Sequence, residues 1–122
     1  MKKIITLSLA LSACVAQPVH AETYDNAMQT ILCPNVASFA KSVMQARQDG
    51  VEMQRIMGAV DLENDKLGMM RPLIMKAYAM PRFYSYVVKS RAAIDFSNDA
   101  FLQCMSISQD EFNARMNGVP TK

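Results

Sequence analysis

The side chains best suited to chemistry in this chain are three cysteines, a single histidine and eleven methionines. The first cysteine, Cys14, lies in an N-terminal segment that we expect to be a cleaved export signal or a lipidation site. Cys33 and Cys104 are then the two ordinary cysteines of the mature protein. Their wide separation differs from the Cys-x-x-Cys pattern, in which one thiol perturbs the other. In an oxidising compartment such a pair forms a disulfide that stabilises the fold. We therefore predict a structural disulfide between Cys33 and Cys104.

The only histidine, His20, precedes the cleavage site that we predict after Ala21. A mature domain without histidine has no Ser-His-Asp or Cys-His machinery, and its two paired cysteines leave no ordinary zinc site. Asp95 and Asp99 could act as an acid and base pair. Their spacing of one helical turn near Arg91 is more typical of a solvated helix face. We therefore predict a non-enzymatic protein with no catalytic residue and no cofactor.

Methionine is unusually abundant, and two explanations compete for it. Thioethers are soft ligands for Cu(I), and Met53 and Met57 share one face of a predicted helix, so a copper site in the cell envelope is one hypothesis. The other is that flexible methionines fill an irregular core or form an adaptable binding surface. Met53, Met57 and Met70 also fall on apolar helix stripes. We favour the second explanation and keep Met53 and Met57 as the candidate ligands of the first.

Aromatic residues concentrate around one connection between two predicted helices. Arg82 stands there beside Phe83 and Tyr84, and Tyr86 follows. Tyrosine, arginine and methionine are enriched in protein contacts. The cluster of Arg82, Phe83, Tyr84 and Tyr86 is therefore a candidate partner surface. The alternative, which we favour, is that these residues seal the corner between the two helices.

The N-terminus has the composition of an export signal. Two lysines precede a short apolar run, and a polar segment that ends in small residues places signal-peptidase cleavage after Ala21. This predicts a signal peptide over residues 1–21 and a single helical domain over residues 22–122, located in the periplasm or secreted. The alternative is a lipobox ending at Cys14, whose lipidation would make the protein an envelope lipoprotein. We favour cleavage after Ala21.

The charge balance argues against a nucleic-acid partner. The chain has 13 basic and 11 acidic residues, and two of the basic ones, Lys2 and Lys3, belong to the predicted signal. The mature domain is then formally neutral and lacks the positive charge that attracts a phosphate backbone. The expected partner is an unidentified protein, with membrane contact only if Cys14 is lipidated.

Hydrophobic periodicity predicts an all-α domain, a small bundle of four to five helices closed by one disulfide. The first helix begins near Cys33 or Pro34 after a kinked turn over residues 25–32, and Gly50 ends it. A second, shorter helix covers residues 51–60. The disulfide requires the start of the first helix to meet the end of the fourth, which predicts that these two run antiparallel.

A third helix is predicted over residues 65–79, where Pro72 should bend or restart it and Pro81 should end it. Ser85 can cap a fourth and longest helix, and a capping box predicts a short fifth helix near residues 109–116. Apolar residues recur along the fourth helix at the helical period, and we expect this stripe to face the core. The stripe consists of Val87, Ile94, Phe101 and Met105.

Several short motifs resemble those of small exported proteins of Gram-negative bacteria and their prophages. They are Cys33, the run Ala46-Arg47-Gln48-Asp49-Gly50, Ala77-Tyr78 with Pro81-Arg82, Asp95-Phe96-Ser97-Asn98 and the final Cys104. The resemblance covers most of the mature chain and implies an exported helical domain with two cysteines. It does not imply any particular activity. In size, compartment and single disulfide the chain is also similar to periplasmic acid-stress chaperones and to immunity proteins against envelope-targeted toxins.

The absence of catalytic groups and the abundance of adaptable apolar side chains together predict a protein-binding module. We expect it to be of the inhibitor, immunity or stress-chaperone type. Methionine-based Cu(I) binding and anchoring through Cys14 are the two alternatives.

Overall fold

The computed structural model describes residues 24–119, which form helices and no strands. The five α-helices are α1 (Cys33–Gln48), α2 (Met53–Ala59), α3 (Met70–Ala79), α4 (Tyr86–Met105) and α5 (Gln109–Met116). A short 3-10 helix, Leu62–Asn64, precedes α3. The predicted all-α class is therefore confirmed for the described residues. The predicted signal peptide and the candidate lipidation site Cys14 lie outside them.

The centre of the domain is an antiparallel pair formed by α1 and α4. Cys33 at the start of α1 and Cys104 near the end of α4 form the predicted disulfide, with an S–S distance of 2.08 Å and both side chains fully buried. One turn further along α1, the Ser97 hydroxyl donates a hydrogen bond of 2.8 Å to the Ala37 carbonyl. α3 packs on another side of α1 and buries Ile74.

A helical segment leads into α1 in place of a separate turn. Residues 24–27 are α-helical and Met28–Leu32 are π-helical, and both run directly into α1. Pro34 in the first turn of α1 has no backbone N–H to donate, and the wider π-helical turns lie immediately before it. The kink predicted over residues 25–32 is thus a widened helix, whose Met28 side chain is buried in the core.

Tyr24 fastens this segment to the start of α5. Its hydroxyl donates a hydrogen bond of 2.9 Å to the Ile107 carbonyl, and its ring meets the Phe112 ring edge-on at a centroid distance of 5.4 Å. Burial raises the pKa of the Tyr24 hydroxyl.

α5 begins as predicted, because the Ser108 hydroxyl accepts a hydrogen bond from the Glu111 backbone N–H at 3.2 Å.

α3 begins later than the sequence predicts. The Asp65 carboxylate accepts hydrogen bonds from the backbone N–H groups of Met69 and Met70, at 3.0 and 2.7 Å, and so caps a helix that starts at Met70. Pro72 therefore falls in the first turn, where its missing N–H removes no helical hydrogen bond. The predicted start at residue 65 is wrong, whereas the predicted stop before Pro81 is confirmed.

α4 buries a different face from the one that we predicted. The residues that it buries are Ala93, Phe96, Ala100 and Cys104. The disulfide fixes this face against α1, and its two alanines allow the backbones of the two helices to approach closely. The predicted burial of the stripe formed by Val87, Ile94, Phe101 and Met105 is therefore wrong. Phe101 is half-buried, and the other three are exposed.

Candidate protein-binding surface

The connection between α3 and α4 runs from Met80 to Ser85 and is held by a buried glutamine. Gln48, the last residue of α1, is only 1% exposed. Its Nε2 donates a hydrogen bond of 2.9 Å to the Pro81 carbonyl, and its Oε1 accepts one of 2.8 Å from the Phe83 backbone N–H. Both polar atoms of one side chain therefore fix the backbone of the connection.

Two further side chains tie the end of α1 to its surroundings. The Arg47 Nε donates a hydrogen bond of 3.1 Å to the Met80 carbonyl, and the guanidinium lies 5.4 Å from the centroid of the Tyr78 ring. The Tyr78 hydroxyl donates a hydrogen bond of 2.6 Å to the Val51 carbonyl. Burial raises the pKa of Tyr78, while the Arg47 cation acts in the opposite direction. Tyr78 is therefore a neutral donor at physiological pH.

Arg82 packs its guanidinium against Gly50, just beyond the end of α1. Gly50 has a φ of +83°, and a Cβ atom at this position would lie 2.8 Å from the Arg82 Nη2. The left-handed backbone favours glycine here, and a Cβ atom would also displace the end of the Arg82 side chain. Phe83 is half-buried in the same connection. Arg82 and Phe83 thus contribute to the corner between α3 and α4.

Tyr84 and Tyr86 have different surroundings from Arg82 and Phe83. Tyr84 is fully exposed, and Tyr86 is 83% exposed. Ser85 between them occupies the N-cap position of α4, but its side chain does not make the predicted capping hydrogen bond. The cluster that we singled out from the sequence is therefore divided: Phe83 is half-buried in the corner, Arg82 is exposed beside Gly50, and the two tyrosines are exposed. Their contact with a partner stays a prediction.

Exposed apolar side chains continue from this corner along α4. Val87 is 63% and Ile94 is 46% exposed, and Phe101 and Met105 continue the series. We call these four residues the α4 stripe. At 3.6 residues per turn, they lie about 120° around the helix axis from the buried face. Leu102, which is 66% exposed, borders the stripe.

A different flank of α4 lies along α3. Val88, Asp95 and Phe96 line a groove of about 240 Å³ together with Lys76 and Met80. The Lys76 ammonium lies 5.9 Å from the centroid of the Phe96 ring. Because α1 covers the buried face and α3 borders this groove, the α4 stripe is the side of the helix that neither of them covers.

Asp95 and Asp99, the carboxylates considered for acid and base chemistry, are exposed on α4. Among residues 24–119 the ion pair that forms joins Arg115 to Glu111, and it involves neither aspartate. The same residues contain no group of three or more His, Cys, Asp or Glu side chains that could hold a metal ion. Both aspartates are thus exposed carboxylates that line the groove beside α3.

Two groups of methionines bear on the copper hypothesis and on the apolar cavities. Met53 and Met57 of α2 are half-buried and pack against the core, as expected of side chains that fill irregular gaps. Met69, Met70 and Met116 line an apolar cavity of about 270 Å³ between α1 and the start of α3. Cu(I) binding by Met53 and Met57 stays a prediction.

The sequence contains a signal for the orientation of α4 that the hydrophobic period alone does not give. Cys104 must face α1 in order to form the disulfide. Ala100 lies four positions before Cys104, and Phe96 lies four positions before Ala100, so successive i, i+4 steps place both on the side of α4 that carries Cys104. The disulfide therefore identifies the buried face, and the larger apolar residues of the α4 stripe fall to one side of it.

Comparison with family models, with curated proteins and with solved structures finds no match to this chain. No helix within residues 24–119 has the length and apolar character needed to cross a bilayer. The function is therefore inferred from the surface of the domain itself.

Proposed function

We propose that this chain is an exported, non-enzymatic protein that binds another protein through the α4 stripe and the neighbouring Tyr84. The observation that carries this proposal is a stripe of large apolar residues, three of them exposed and Phe101 half-buried, on a helix whose buried face includes two alanines. Burial of apolar surface stabilises by about 25 cal/mol per Å², yet the domain leaves Val87 and Ile94 exposed. Exposed apolar surface bordered by polar residues marks interaction sites.

The chemistry of the surface suits a protein contact. Its centre is aliphatic and aromatic, and Tyr84 at one end has a large ring with a polar tip. Arg91 and Asn98 lie along one edge of the stripe, so an apolar centre is bordered by polar groups. This is the usual arrangement of protein interfaces.

Among protein-binding roles, an inhibitor or immunity factor is favoured over a stress chaperone. The stripe is exposed while the domain is folded and its disulfide is closed, so binding requires no unfolding. Gln48 and Arg47 fix the backbone from which Tyr84 extends. A surface held in this way loses little conformational freedom when it binds one partner of fixed shape.

The periplasm is the compartment that this proposal assigns, with signal cleavage after Ala21. A structural disulfide persists in an oxidising compartment, whereas cytosolic thiols are kept reduced. Anchoring through Cys14 would place the same binding surface at a membrane and would leave the proposed contact unchanged.

A photo-crosslinking residue at Ile94, introduced into the full chain and exported by living cells, tests the proposal. We expect irradiation to give a few discrete protein adducts. Met75 on α3 is the control position, because it is also apolar and is 55% exposed but lies on another helix. It should give no discrete adduct.

A second substitution checks that the adducts depend on the stripe. Val87→Asp, in the chain with the probe at Ile94, should remove the adducts because it would bury an unpaired charge in the contact. Diffuse and equal labelling from both probe positions would contradict the proposal. Adducts that persist in the presence of Val87→Asp would place the binding surface elsewhere.

A further inference from the structure

The α4 stripe has a symmetric spacing. Val87, Ile94 and Phe101 follow one another at intervals of seven residues, which is close to two helical turns. Ile94 therefore lies midway between two other apolar residues on the same side of α4. A helix with this spacing can pack antiparallel against a copy of itself, with Ile94 on the two-fold axis. In that arrangement Val87 of each copy lies level with Phe101 of the other.

We propose that the α4 stripe binds a second copy of this chain, with α4 packed antiparallel against α4 about a two-fold axis at Ile94. This inference rests on the proposed function that the stripe is a protein contact, and it assigns a second copy of this chain, in place of an inhibited target, as the occupant of that surface. Ile94 meets Ile94 at the centre, and Val87 meets Phe101 on each side. Each of these large apolar residues then lies opposite another one, so the surface is complementary to itself.

The polar residues beside the stripe also match in this register. Arg91 and Asp95 lie on the same edge of the stripe, and the two-fold axis brings Arg91 of each copy beside Asp95 of the other. Neither residue takes part in an ion pair within residues 24–119. Their opposite charges favour a second copy as the occupant.

In the proposed dimer, each end of the α4 stripe lies near the connection between α3 and α4 of the other copy. In the same register, Met105 of one copy lies about one turn beyond the start of α4 in the other, on the side of the connection that carries Tyr84. Tyr84 is fully exposed in the single chain and would cover Met105 of the second copy. The connection anchored by Gln48 would therefore form each end of the interface.

Sedimentation equilibrium of the mature protein tests this association. We expect the parent protein to form a dimer whose population rises with concentration. Ile94→Asp should remain monomeric, because two carboxylates would meet at the axis in a desolvated contact. Met75→Asp is the control, since Met75 is apolar and 55% exposed but lies on α3. It should leave the dimer unchanged, and circular dichroism should show that both variants are folded.

An exchange of charges tests the register. Arg91→Asp should weaken dimerisation by about tenfold, because it places two aspartates beside each other on both sides of the two-fold axis. Adding Asp95→Arg to the same chain should restore most of the lost affinity. If the double variant is as weak as the single one, these two residues do not meet and the register is wrong.

Cysteine substitutions distinguish the antiparallel dimer from a parallel one. When Val87→Cys and Phe101→Cys proteins are mixed and oxidised, the antiparallel arrangement predicts disulfides between the two different variants. A parallel arrangement predicts that each variant crosslinks only to itself, which would overturn the proposed geometry.

The two proposals can fail separately. A parent protein that stays monomeric up to millimolar concentration overturns the second copy as the occupant. If the probe at Ile94 then gives adducts with a different protein, the proposed function stands with another partner. A monomer that gives no discrete adduct would contradict both.

Discussion

Removal of the Cys33–Cys104 disulfide is expected to lower the free energy of unfolding by about 4 kcal/mol in the chain-entropy model. The bridge spans 71 positions, so it restricts a large part of the unfolded chain. It also joins the first residue of α1 to the end of α4, where both side chains are fully buried. A loss of this size is comparable to the whole stability of a small domain.

Urea unfolding of a variant with Cys33→Ala and Cys104→Ala, compared with the oxidised parent, measures this effect. Alanine leaves no polar group in the apolar site that the sulfurs occupy. The double variant also serves as the control for reductant, which should destabilise the parent and leave the variant unchanged. A loss below about 1 kcal/mol would show that the α1 and α4 pair holds together without the bridge.

Gln48→Leu is expected to lower the free energy of unfolding by about 3 kcal/mol, because it leaves two polar groups of the connection without their partner. These groups are the Pro81 carbonyl and the Phe83 backbone N–H, both bonded to the buried amide. Gln45→Leu is the matched control, since Gln45 lies on the same helix and is exposed. It should change stability by less than about 0.5 kcal/mol. Equal losses for the two variants would contradict the anchoring role.

Gln48→Glu adds a pH dependence to the same test. Burial should raise the pKa of the introduced carboxyl above its unfolded value, and its protonated form can donate to the Pro81 carbonyl as the amide does. This contribution to stability is therefore present below the unfolded pKa of about 4.3 and is lost as the pH rises through the folded pKa. Relative to the parent, the variant should be less stable at neutral pH than at acidic pH. A difference independent of pH would mean that the carboxyl is hydrated and that the site is not closed.

The elements of this fold could be predicted because each depends on local chemistry or on the disulfide. Gly50 supplies the left-handed residue after α1, Pro81 ends α3, and the Ser108 cap begins α5. The pairing of Cys33 with Cys104 followed from the cysteine count and the predicted export, and it required α1 and α4 to run antiparallel. These signals act over a few residues or through one covalent bond, so tertiary packing does not override them.

The orientation of α4 could not be predicted from hydrophobicity, because the apolar stripe and the buried face compete on one helix. Val87 and Ile94 are more hydrophobic than Ala93 and Ala100, yet only small residues permit the close approach of α1. Cys104 determines which face of α4 is buried, because it must meet Cys33 on α1. Gln48 is a different case, since a glutamine in a polar stretch gives no sign that it will be buried and bonded to a distant connection.

Composition likewise could not show which residues of the aromatic cluster are buried. The cluster lies at a helix corner, and its composition suits both an internal seal and an external contact. The backbone alone determines which side chains turn inward, and it places Phe83 in the corner and Tyr84 in solvent. Composition alone therefore could not predict which of these side chains are exposed. That depends on the path of the connection, which the hydrogen bonds of Gln48 fix.

The central claim is that the α4 stripe belongs to a contact surface and not to the core. One comparison tests it most directly, the urea unfolding of Ile94→Ala and Ile74→Ala at a protein concentration low enough to keep the chain monomeric. Ile74 is fully buried, so its truncation should lower the free energy of unfolding by about 2–5 kcal/mol. The same truncation at Ile94, which is 46% exposed, should lower it by less than about 1 kcal/mol. Equal losses at the two positions would mean that Ile94 is a core residue, and that α4 has no free face to offer a partner.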